Sequence, residues 1–224
     1  DGENRKRLSA EGRLLSSLEH PNIVKIYEYG ESKEHSFISM EYLTGGTLQD
    51  YVEKNYPLEI ENAVSFALQI CSGLDAIHSN DIIHRDLKSP NIMFDKNNQI
   101  RIMDFGLSKS PLVTTMTSLG TVIGTLGYVA PEQVTNLQVD QRVDIFSLGV
   151  ILYQLVTSKL PFTGENEIAL IHSIFNTQPE LPSKINSAVP QSLEKIIMKC
   201  IAKDPDKRYN SVKDIIIDLN KIVL

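Results

Sequence analysis

Residues 142–157, RVDIFSLGVILYQLVT, are apolar on nearly every side of a helix. A helix of that kind belongs in the middle of a core, with other elements wrapped around it. It is not a membrane span, because its apolar run from Ile145 to Val156 is broken by Ser147, Gly149 and Gln154 and is too short for the ~20 residues a bilayer needs. The polar opening from Asp1 to Arg7 reads as a solvated end and not as a signal peptide.

The wrapping is supplied by both kinds of periodicity. Residues 10–18 read as a helix with Leu14, Leu15 and Leu18 on one side, ended by His20-Pro21-Asn22. Residues 62–79 place Val64, Leu68, Cys71, Leu74 and Ile77 at helical spacing, and 191–202 and 211–223 are two further amphipathic helices. Ile23-Val24-Lys25-Ile26-Tyr27 and Phe37-Ile38-Ser39-Met40 read as strands, joined by the polar loop 31–35 as a hairpin. Gly45-Gly46 then breaks the chain, and the remainder is mainly helical apart from one short hairpin. The expectation is an α+β chain, a small strand-rich piece succeeded by a larger helical one, and a cleft between two such pieces is a natural ligand site.

Composition bounds the partners. The 224 residues suffice for a sizeable core with one or two subdomains. A net charge of −6 argues against a nucleic-acid-binding surface. Cys71 and Cys200 stand alone inside apolar helical patterns, so they read as buried free thiols and not as a disulfide or zinc framework, which favours a reducing, cytoplasmic compartment, with a membrane anchor outside this sequence left open. His35, His78 and His172 have no supporting motif and read as structural or exposed.

Residues 84–106 carry the chemistry. Asn91-Ile92-Met93-Phe94 and Ile100-Arg101-Ile102-Met103 read as two short strands around the turn-forming Asp95-Lys96-Asn97-Asn98-Gln99. Pairing them brings Asn91 and Asp104 to one end of a hairpin. Two hard oxygen ligands beside open space suit Mg2+, which keeps water and phosphate oxygens in its shell. Asp86, just upstream, is placed to accept a proton from an attacking hydroxyl. Lys88 adds a point charge for a phosphoryl group. An acid–base carboxylate, a metal pair and a cation together describe phosphoryl transfer.

His84-Arg85-Asp86-Leu87-Lys88-Ser89-Pro90-Asn91 resembles the catalytic loop of the eukaryotic-type protein kinase family. Asp104-Phe105-Gly106 resembles that family's metal-binding triplet, and Ala130-Pro131-Glu132 the end of its activation segment. Each triplet alone is common, whereas all three in this order are specific. The resemblance implies a bilobal kinase-like fold, with residues 1–43 as a partial N-lobe and hinge (a regulatory helix and two strands) and 44–224 as the mainly helical C-lobe.

The resemblance also implies roles. Asp86 would orient and deprotonate a substrate hydroxyl, Lys88 would contact the γ-phosphate of ATP, and Asn91 and Asp104 would hold Mg2+. Met40 would be the gatekeeper, backbone groups of Glu41 and Leu43 would meet adenine, and Leu48 and Met93 would sandwich it. Glu11 would be the regulatory-helix glutamate, Asp144 a buried brace for the catalytic loop, and Arg208 the partner of Glu132. Phe105, His84 and Leu15 would stack in a spine between the lobes.

Lys88 and the stretch around Thr125 resemble the Ser/Thr branch, and residues 122–133 resemble bacterial members. The implied partner is a protein with a Ser or Thr acceptor, together with self-association for autophosphorylation of the activation segment. Arg85 and Lys109 would receive a phosphate there. Among Thr114, Thr115, Thr117, Ser118 and Thr121 the favoured acceptors are Thr117 and Thr121.

The family's Gly-rich loop and strand lysine would lie upstream of Glu11, and the sequence contains neither. The expectation is a fragment of a longer active kinase, poorly behaved alone because a sheet edge is left unpaired. The alternative is a pseudokinase-like binding or scaffold module. Intact Asp86, Asn91 and Asp104 favour the fragment.

Overall fold

A computed structural model of the chain describes residues 18–31, 36–105, 126–135 and 139–222. Two strands open the described chain, β1 (Ile26–Glu31) and β2 (Ser36–Met40). They pair antiparallel with Ile26 opposite Met40 and Gly30 opposite Phe37. The first strand begins three residues later than its alternation suggests. Ile23 instead bridges Ile102 in parallel, Val24 N–H donates to Ile102 O and Ile102 N–H donates to Asn22 O, both at 2.9 Å. The Asn22 amide also donates to Ile100 O at 3.1 Å. Residues 22–24 thereby fasten the small sheet to the hairpin that carries the chemistry.

After the Gly45-Gly46 break come α1 (Leu48–Asn55) and α2 (Ile60–His78). Thr47 caps α1 with a capping box, its hydroxyl accepting from Asp50 N–H while the Asp50 carboxylate accepts from Thr47 N–H. A second hairpin comes next, β3 (Ile92–Phe94) with β4 (Ile100–Ile102). Its turn closes on Asp95, whose Oδ1 accepts from the amides of Asn97 and Gln99 at 2.8 and 3.0 Å. Gly45 lies against this hairpin, with Gly45 N–H donating to Phe94 O at 3.0 Å. A Cβ there would stand 2.6 Å from that same oxygen, so the approach requires glycine.

The remaining helices are α3 (Pro131–Val134), α4 (Arg142–Thr157), α5 (Glu167–Asn176), α6 (Pro182–Ile185), α7 (Gln191–Cys200) and α8 (Val212–Leu219). Helix α4 runs through the centre as its composition requires: every residue of it except Arg142 and Gln154 is buried. It packs against α2 and α7, and α8 closes over α2. Cys71 and Cys200 are both free and buried. Among the described residues no helix is long and apolar enough to cross a membrane.

Candidate active site

The loop 84–91 is suspended from α4. Asp144, in the first turn of that helix and fully buried, accepts from His84 N–H through Oδ2 and from Arg85 N–H through Oδ1, both at 2.8 Å. Its Oδ2 also meets His78 Nε2 at 2.8 Å. Arg85 turns through a left-handed conformation (φ 67°), a costly state for a non-glycine residue that surrounding bonds must hold. Gln133 supplies one of them, donating to Arg85 O at 3.0 Å. The buried His84 ring bonds Met103 O at 2.9 Å. Burial keeps its imidazole neutral more strongly than Asp144 and Asp86 favour the charged form.

Asp86, Lys88 and Asn91 form one knot. Lys88 Nζ lies 3.0 Å from Asp86 Oδ1 and 2.9 Å from Oδ2. The Asn91 amide nitrogen donates to Asp86 O at 2.9 Å and to Asp86 Oδ2 at 3.0 Å. With its nitrogen committed to Asp86, Asn91 has its amide oxygen left for a cation. Asn91 itself ends a short 3-10 turn, Ser89–Asn91, and does not open the strand.

The hairpin register pairs Ile92 with Ile102, so Asn91 stands opposite Met103, whose N–H donates to Asn91 O at 2.9 Å. Asp104 is therefore one residue beyond the position directly across from Asn91. It sits in a left-handed turn (φ 56°) that re-aims the chain after β4. Phe105 beside it is buried.

Among the described residues no cluster of three or more His, Cys, Asp or Glu could hold a metal alone. The two candidate donors, one carboxamide oxygen and one carboxylate, would suit a hard ion that completes its shell with water and phosphate oxygens.

Of the residues expected to meet a base, Met40 and Met93 are partly buried and Leu43 is buried. Leu48 is completely buried. It starts α1 directly after Thr47, which bridges Met93. Glu11, Leu15, His35, Lys109, Thr114, Thr115, Thr117, Ser118, Thr121 and Thr125 lie outside the described residues.

Arg208 pairs with Glu132 as expected, through two bonds of 2.6 and 2.9 Å. One network escaped sequence reasoning. Tyr128 O–H donates to Gln154 Oε1 at 2.8 Å and its oxygen lies 2.7 Å from Ser89 Oγ, while Ser147 Oγ donates to Tyr128 O at 2.8 Å. Ser147 and Gln154 are polar interruptions of the central helix, two turns apart on one face, and that spacing was the available signal.

Residues 1–217 match the family model described as "Protein kinase domain". The chain is 39% identical over 221 residues to the serine/threonine-protein kinase PrkC of Bacillus subtilis, covering 98% of this chain and 34% of that protein. It is 35% identical over 222 residues to the serine/threonine-protein kinase PknB of Mycolicibacterium smegmatis, covering 96% of this chain and 36% of that one. It thus spans about a third of the length of such relatives. A crystal structure of Rad53 1-466 in complex with AMP-PNP superposes with a TM-score of 0.78 at 30% identity, covering 93% of this chain and 53% of that one.

Proposed function

The chain belongs to the protein kinase domain family, and on that premise we propose that it is the catalytic part of a protein that transfers the γ-phosphoryl group of ATP to Ser or Thr hydroxyls. The observation that carries this reading is the knot of Asp86, Lys88 and Asn91 at the mouth of the hairpin that leads to Asp104. The Asp86 carboxylate is part-exposed, so an incoming hydroxyl can reach it, and it orients that hydroxyl and takes its proton. Lys88, tied to both Asp86 oxygens, keeps that carboxylate in place and puts positive charge where a phosphoryl oxygen would arrive. Asn91 and Asp104 would hold Mg2+, which when bound supplies positive charge against the phosphate oxygens.

Two backbone groups support an adenine site at the hinge. Glu41 O and Leu43 N–H, two residues apart, meet no partner among the described residues. An acceptor and a donor at that spacing complement the edge of a 6-aminopurine. Arg85 Nε is buried and unpartnered among the described residues, which favours its receiving a phosphate placed on Thr117 or Thr121. Such a phosphate would come from a second copy of the protein, and the substrate class is a protein bearing a Ser or Thr acceptor.

The test is radiolabelled phosphate transfer from ATP by the full-length protein and by its Asp86→Asn variant. The expected loss is about a hundredfold or more in kcat. Equal rates would remove Asp86 as the base.

A further inference from the structure

Where β1 meets the hinge, the strand ladder does not close in the usual way. Continuing the register beyond Ile26 opposite Met40 puts Lys25 opposite Glu41. In a hydrogen-bonded antiparallel pair the two residues exchange both of their N–H···O=C bonds. One half is present, because Glu41 N–H donates to Lys25 O at 2.9 Å. The other half is not made by the main chain: Lys25 N–H donates to the Glu41 side chain, Oε1, at 2.8 Å. The carboxylate occupies the acceptor position that its own carbonyl would otherwise take, and that carbonyl receives no donor from the described residues.

The carboxylate is steadied from the catalytic hairpin. Arg101, on β4 one residue before Ile102, binds Asp95 Oδ2 through a terminal nitrogen at 3.1 Å. This directs its Nε, which is buried and has no hydrogen-bond partner among the described residues, to within 4.0 Å of Glu41 Oε1. The Glu41 carboxylate is thus bonded by the backbone amide of Lys25 and faced by the guanidinium charge of Arg101, while the Lys25 ammonium turns away to Glu19 at 2.8 Å.

We propose that the Glu41 side chain, held by Arg101, substitutes for its own main-chain carbonyl in the ladder and so presents that carbonyl to the exocyclic amino group of a 6-aminopurine. Glu41 and Arg101 are then positioning residues for the base, and Arg101 links the grip on the base to the hairpin that ends at Asp104. The inference rests on the reading of the chain as an ATP-using kinase.

Removing the carboxylate leaves Lys25 N–H with one nearby acceptor, the carbonyl of residue 41, and rotating that carbonyl into the ladder takes it from the base. The experiment compares KM and kcat of the full-length protein with two nucleotides, ATP and purine riboside 5′-triphosphate, which lacks the 6-amino group. Glu41→Ala should raise KM for ATP about tenfold, the cost of one buried hydrogen bond, with kcat changed less than about twofold and KM for the analogue unchanged. Glu41→Gln, whose amide oxygen can still accept from Lys25, should restore most of the affinity for ATP. Arg101→Gln should raise KM for ATP about threefold, again with no effect on the analogue, and it decides the matter if Glu41→Ala does not fold. Variants whose KM shifts equally for both nucleotides, or for neither, overturn the proposal while the kinase reading stands. A parent protein that transfers phosphate from neither nucleotide overturns the kinase reading itself, and this inference with it.

Discussion

Arg208 grips Glu132 across 76 residues of sequence with two bonds, 2.6 and 2.9 Å long, from a guanidinium with no exposed side-chain surface. The same guanidinium donates to the carbonyls of Ala202, Arg142 and Lys203 and lies 4.9 Å from the Phe146 ring centre. One side chain thus ties α3 to the start of α4 and to the loop after α7. Arg208→Ala strips a largely enclosed carboxylate of its counter-charge and leaves three carbonyls short of a donor. The expected loss is about 3–5 kcal/mol of unfolding free energy, read from the urea midpoint. Arg208→Lys should recover little, because an ammonium cannot reproduce the two-pronged geometry.

Lys88 touches both oxygens of Asp86, so in the proposed reaction its charge serves phosphoryl transfer more than the fold. Lys88→Met should lower kcat by about a hundredfold or more, with KM for ATP within about threefold of the parent and an unchanged urea midpoint. Steady-state kinetics beside a denaturation curve separate the two effects.

His20 and His84 both hold their protons less readily than free histidine, chiefly because burial disfavours the charged ring. For His20 there is also a local reason: Nδ1 accepts from Asn22 N–H at 3.1 Å and cannot do so once protonated. A group whose pKa is depressed on folding leaves the unfolded chain binding more protons. Its stabilisation is therefore complete above the ordinary histidine value of about 6.5 and drains away as pH falls below it. Urea midpoints should drop between pH 7 and 5, and His20→Gln should show a slope shallower by up to about one proton.

Gly149 lies where α4 meets the end of α7. A methyl group there would stand 2.5 Å from Cys200 Cβ, 2.7 Å from Ile201 Cγ2 and 3.1 Å from Ile201 N. Alanine is the better helix former by about 1 kcal/mol, but overpacking costs about 1–3 kcal/mol. Gly149→Ala should therefore lower the thermal midpoint, as calorimetry can show. A rise would mean that α7 can move outward at no cost.

The parts of the fold legible in sequence were those set by burial all round or by a dense local motif. Helix α4 spans Arg142–Thr157, the range its composition marked, because a helix buried on every side needs no knowledge of its neighbours. The grouping of Asp86, Lys88 and Asn91 was legible because the three stand within one short loop. Helix α1 was not singled out: only Leu48 and Val52 of its eight residues are buried, too little for a periodic signal. The bond from Lys25 N–H to the Glu41 carboxylate was equally hidden, since a side chain taking over a main-chain acceptor leaves the alternation of the strand unchanged.

The attachment of His84 and Arg85 to one carboxylate on α4 has a thermodynamic corollary. Two consecutive amides of the reacting loop terminate on the most deeply enclosed element of the molecule, so that loop has no independent melting transition: freeing it means opening the interior. The cluster of Asp86, Lys88 and Asn91 should therefore stay assembled for as long as the protein remains folded, with the His84 and Arg85 amides protected from hydrogen exchange up to global unfolding.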